Sequence, residues 1–211
     1  VFVMRRKARP IETGCRVLLD YAMRPITLAD VSTYAPGDPG YPDYVRVFTN
    51  ILLTRDLPPG ADFDVTETIG LTRWANAAKE VDPIRFRRFR TFTNAVALSL
   101  GVSGVADEDV LPPNYTVASL LDDAFVLDDH KLLHLLLPAF EEFHDALVAR
   151  DSEEAPFVLL GQLLASAYLG ATEQDLSLLA DRIIEEESRH AGRVSRAFLL
   201  GCTAFDHFHE E

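Results

Sequence analysis

The chain has little cysteine: Cys15 and Cys202 are the only two among 211 residues. Two thiols so far apart, neither in a C-x-x-C arrangement, exclude a disulfide framework and read as reduced, mostly buried side chains of a cytoplasmic protein. Long apolar runs are also missing. None approaches the roughly 18 apolar residues that crossing a bilayer takes, and Leu132 to Leu137 is interrupted by His134. Arg5, Arg6, Lys7 and Arg9 are not followed by an apolar stretch, so no secretory signal is read there. Basic residues are outnumbered, 20 Lys and Arg against 33 Asp and Glu, for a net charge of -13 and a pI near 4.8. Such a field repels phosphate backbones and anionic lipid, so neither nucleic acid nor membrane is an expected partner. There is no G-x-S-x-G, no G-x-x-x-x-G-K and no G-x-G-x-x-G, hence no motif for a nucleophile elbow or a nucleotide cradle.

What is present suits a folded domain: 48% of residues are hydrophobic and 25% charged. A chain of this length buries roughly 70% of its unfolded surface and needs neither disulfide nor metal to fold. Residues 1–42 read as an N-terminal arm and loop. Within them 1–16 are polar and basic, 16–23 suit a strand or a short helix, and the prolines and glycines of 34–43 form a rigid break.

From residue 43 the periodicity becomes helical. Helices are expected over 43–56 and 64–79, and then from the Asp82-Pro83 cap to Gly101, with Phe86, Phe89, Phe92, Val96 and Leu100 as its apolar stripe. Others are expected from Thr116 to Leu127, from Asp128-Asp129 to Arg150 with a kink at Pro138, over 155–169, and from Thr172 onward. The expected fold is all-α, a bundle of about seven or eight helices with an extended N-terminal arm. The helical domain would span 43–211, with 101–114 the best candidate for a subdomain boundary. The last four helices would form the main core, around a central helix over residues 156–170.

Two Glu-x-x-His pairs are the strongest candidates for chemistry: Glu141 with His144, and Glu187 with His190. On a helix, residues three apart share a face, so a carboxylate and an imidazole can reach one ion, and di-metal carboxylate bundles use such a pair from each of two helices. Glu187 and His190 fall inside the apolar stripe of their helix, where a carboxylate must be paired, protonated or metal-bound. The alternatives are a structural ion pair in the core, or a helix that breaks near Ser188 to Gly192 and leaves Glu187 at a solvated end. The second candidate is a run of four arginines, Arg85, Arg87, Arg88 and Arg90, whose forked donors suit carboxylates and phosphates. The alternative is internal pairing with the excess of acids.

Together these features point to an interaction or small-ligand-binding protein that self-associates into a homo-oligomer. The alternative is a metal-dependent enzyme using Glu141, His144, Glu187 and His190 with a divalent ion such as Fe, Mn or Zn.

Overall fold

A computed structural model describes residues 13–34, 42–57, 82–104 and 113–189. Among them the protein is all-helical, with eight helices and no strand. In chain order these are α1 (Gly14–Met23), α2 (Leu28–Tyr34), α3 (Pro42–Thr54), α4 (Pro83–Ser103), α5 (Pro113–Val126), α6 (His130–Val148), α7 (Ala155–Tyr168) and α8 (Glu173–Arg189). The helix expected over 64–79 lies outside the described residues. No helix among those described is long and apolar enough to cross a membrane.

Local chemistry explains most of the helix starts. The Asp82 carboxylate accepts the Arg85 N–H at 3.0 Å, with Pro83 in the first turn. Asp129 does the same for Leu132 at 2.9 Å. Thr172 and Asp175 cap each other reciprocally: the Thr172 hydroxyl accepts the Asp175 N–H at 3.2 Å, and the Asp175 carboxylate accepts the Thr172 N–H at 3.3 Å.

Three sequence expectations need correction. Residues 16–23, left between strand and helix, lie in α1, whose first turn is capped by Thr13. With α2 they also bring residues 14–34 into the helical body: Leu18, Leu19 and Met23 are fully buried. An arm reading fails there because α1 carries its own apolar face, which packs on α4 and α6.

The second correction concerns Gly101, which does not end α4; the helix runs on to Ser103. Gly104 supplies the left-handed cap at φ 73°, a conformation glycine adopts without a Cβ penalty. Gly101 serves packing instead, since a Cβ there would lie 2.7 Å from the Phe143 ring.

The third correction moves the centre. It is α6 that packs on α1, α4, α5 and α7, through Leu132, Leu133, Leu136, Phe140, Phe143 and Leu147, all buried. Helix α7 lies against α5, α6 and α8; it is buried toward its start, and Tyr168 near its end is exposed. Helix α8 contributes no buried residue. Buried residues on both sides of 101–114, among them Leu100 and Val117, belong to one core.

Candidate functional site

The arginine run is divided by the fold. Arg85 grips Asp30 of α2 with two bonds, Nε to Oδ1 and Nη2 to Oδ2, each 2.5 Å. Burial pushes the Asp30 carboxyl up, but the bonds from Arg85 and Thr27 outweigh it and hold the group below its ordinary value. Arg87 reaches Asp122 of α5 at 2.5 Å and Asp123 at 3.3 Å. Arg90 Nε bonds both oxygens of Asp123, at 3.0 and 3.1 Å, and its Nη2 adds bonds to Asp122 and Asp123. Asp123 has no solvent exposure, and the Thr91 hydroxyl stands 3.1 Å from its Oδ2. Arg85, Arg87 and Arg90 therefore join helices. Arg88 is exposed and has no acid partner among the described residues.

Arg88 instead lines a groove of about 310 Å³ with Tyr21, Ala22, Arg24, Pro25, Thr91, Leu127, Asp129 and Leu132. Four pieces of chain meet there: the end of α1, the turn after it, the middle of α4, and the junction of α5 and α6. Asp129 fixes one wall. While its Oδ1 caps α6, its two oxygens lie 2.9 and 2.7 Å from the Tyr21 hydroxyl, which donates to them.

Tyr21 shows how the surrounding charges converge. Burial, the hydrogen bond to Asp129 and the Asp129 charge push its phenol up to about 12, while Arg88 and Arg24 pull in the opposite direction. The Arg24 guanidinium lies 5.9 Å and the Lys131 ammonium 5.3 Å from the centre of the Tyr21 ring. Like Arg88, Arg24 has no acid partner among the described residues. Of the rest of the lining, Ala22, Pro25, Leu127 and Leu132 are apolar and Thr91 is polar. Such a surface can hold an anionic group at its rim and a hydrophobic body below.

Glu141 and His144, the first Glu-x-x-His pair, lie elsewhere, in a polar seam between α6 and α8. Glu141 accepts from Gln162 Nε2 at 2.8 Å and from Arg182 Nη2 at 3.1 Å. His144 is 4% exposed, and neither ring nitrogen has a hydrogen-bond partner among the described residues. The nearest carboxylate oxygens to it belong to Asp145, at 3.5 Å, and to Glu186, at 3.8 Å. Glu186 in turn pairs with Arg189 at 3.4 Å. The fold thus brings the first pair to the helix that carries Glu187, but through Glu186 rather than Glu187. Glu187 is half-buried and makes no polar contact among the described residues, and burial pushes its carboxyl up. His190 lies outside the described residues. Among those described, no three metal-ligating side chains are grouped closely enough to hold an ion. Guanidinium groups already occupy the Glu141 and Glu186 oxygens that such an ion would use.

Compared with protein-family models, curated proteins and solved structures, the chain matches none. Its function has to be read from its own residues. Sequence reasoning missed Tyr21, Arg24 and Asp129 as groove residues, because nothing in their spacing links α1 to a helix start more than a hundred positions later. Only the capping role of Asp129 was visible beforehand.

Proposed function

We propose that this protein is a small-ligand-binding helical protein, and that the groove between α1, α4 and the α5–α6 junction takes a small organic anion. One observation carries the reading. In a chain of net charge -13, Arg24 and Arg88 line a concave, mostly apolar surface without an acid partner among the described residues, while Arg85, Arg87 and Arg90 of the same run are held by carboxylates. Two forked donors at the mouth of an apolar cleft suit a carboxylate attached to a hydrophobic body. The seam of α6 and α8 supports the metal-dependent alternative less well, since its carboxylates already carry arginine partners.

Thermal unfolding with benzoate, and with benzamide as the uncharged match, tests the proposal. Benzoate at ten times its dissociation constant should stabilise the native protein by about 1.4 kcal/mol, raising the midpoint by about 3–6 °C for a chain of this size. Benzamide should leave the midpoint in place. The double variant Arg24→Gln, Arg88→Gln should fold normally and lose the response to benzoate. A response that survives in that variant would sink the proposal, as would an absence of response at millimolar acid.

A further inference from the structure

From the surroundings of His144 we infer that the seam between α6 and α8 is an acid-strengthened latch: a proton on His144 holds α8 to the body of the fold, and its loss loosens that helix. The inference is independent of the groove. His144 is buried, and neither ring nitrogen has a hydrogen-bond partner among the described residues. A neutral imidazole carries one N–H and one lone pair. Here each nitrogen stands near a carboxylate oxygen: Nδ1 lies 3.5 Å from Asp145 Oδ1, and Nε2 lies 3.8 Å from Glu186 Oε1. Whichever nitrogen lacks the proton therefore sets a lone pair near a negative oxygen. Protonation makes both nitrogens donors and places a cation between the two carboxylates.

The charges along the seam suit that cation. Glu141 and Asp145 of α6 and Glu185 and Glu186 of α8 face two guanidiniums, Arg182 and Arg189, both already bonded to glutamates. From α7 comes Gln162, a neutral side chain that donates to Glu141, and Ala155–Tyr168 holds no Asp, Glu, Lys, Arg or His. Charged groups on the other helices packed against α6 are engaged elsewhere: Arg16 with Asp20, Arg85 with Asp30, and Arg87 and Arg90 with Asp122 and Asp123 of α5. Glu142 accepts the Gly14 and Cys15 N–H groups at the start of α1. Burial of the imidazole opposes a charge there, and the surplus of carboxylates acts against that cost. Glu186 is the carboxylate that α8 itself brings to the ring, and its side chain is only 13% exposed. α8 contributes no buried residue of its own, so a charge pair at its edge weighs heavily in its attachment. Histidine titrates ordinarily between pH 5 and 8. If the docked helix holds the proton better than the released one, docking strengthens as pH falls through that range.

Hydrogen exchange of the full chain, read by mass spectrometry on peptides from α8 and α4, tests this. With the intrinsic pH dependence of exchange divided out, protection of α8 should rise about fivefold or more from pH 7.5 to pH 5.5, while that of α4 changes by less than about twofold. His144→Gln cannot take up the proton and should flatten the α8 response. Glu186→Gln keeps the imidazole and removes the carboxylate that α8 supplies, so the rise should shrink to less than about half; this variant decides the matter if His144→Gln lowers protection of α4 as well. Protection of α8 that is flat or falls over this range in the wild type overturns the inference, as does an equal rise in α4. A rise that persists in His144→Gln with α4 intact also overturns it and passes the effect to Glu187, whose carboxyl burial pushes up. An unchanged rise in Glu186→Gln overturns it too.

Discussion

Residues of one chemical type play opposite roles here according to their partners. Arg90 and Arg88 are two positions apart on α4. One is a half-buried strut between helices, bonded to the fully buried Asp123; the other lies beside a groove with no acid partner among the described residues. Removing one member of a buried ion pair strands the other, which usually costs about 3–5 kcal/mol. Arg90→Met should therefore lower the denaturant midpoint sharply, by about that amount, without a specific effect on ligand affinity in whatever remains folded. Arg88→Gln should leave the midpoint within about 0.5 kcal/mol of wild type, the usual range for an unpaired surface position. Urea titrations of both variants measure the contrast. Equal losses would mean that Arg88 is structural too.

Among the helices, α2 and α8 are attached differently from the apolar centre. α2 has seven residues and packs on α3 and α4. Its Asp30 carboxylate is clamped by Arg85 and by the Thr27 N–H and hydroxyl at the helix start. Because bonds from Arg85 and Thr27 hold that carboxyl below its ordinary value of 3.8 despite burial, the ionised form is favoured in the folded state. The stability this contributes is complete above the ordinary value and is lost as pH falls through the depressed one. Unfolding midpoints followed from pH 6 down to pH 3 should decline over the last unit or so for the wild type, and Asp30→Asn should shallow that decline. Asp122 adds a limb of the same sign, since the bonds from Arg90 and Arg87 outweigh its burial, so the flattening should be partial. α8 depends on half-buried side chains and on the arginine–glutamate seam rather than on any buried residue.

At the scale of the whole molecule, the apolar material is drawn inward around α6, yet α8 leaves Leu178 59% and Ile184 63% exposed. For the self-association expected from the sequence we propose this helix as the interface, with a second copy of the chain covering those side chains. Asp181 and Glu185 lie among them on the exposed side, so pairing two such acidic surfaces should strengthen as salt screens their repulsion. Light scattering at tens of micromolar protein should show a dimer whose fraction rises with ionic strength and falls in Leu178→Glu. A single-copy mass at both low and high salt would remove self-association from the reading.

Much of the architecture was legible in the residues because its causes are local. Asp82-Pro83, Asp129 and the Thr172–Asp175 pair announce helix starts through bonds that reach only three residues. The stripe of Phe86, Phe89, Phe92, Val96 and Leu100 announces a buried face through spacing alone, and all five are buried. The same local logic fell short at Gly101, where a residue suited to ending a helix is required instead by the Phe143 ring of another helix. It fell short again at α1, whose short apolar stretch suits either strand or helix until α4 and α6 are packed against it.

The candidate site belongs almost wholly to this second category. Which of four neighbouring arginines is left free depends on where Asp30, Asp122 and Asp123 stand in space, and the groove exists only because α1 closes against the junction of α5 and α6. Caps and periodicity follow from bonds and steric preferences within a few residues, so composition and order alone determined the all-helical class. Charge partners and concave surfaces come from segments distant along the chain, and only the tertiary packing decided them.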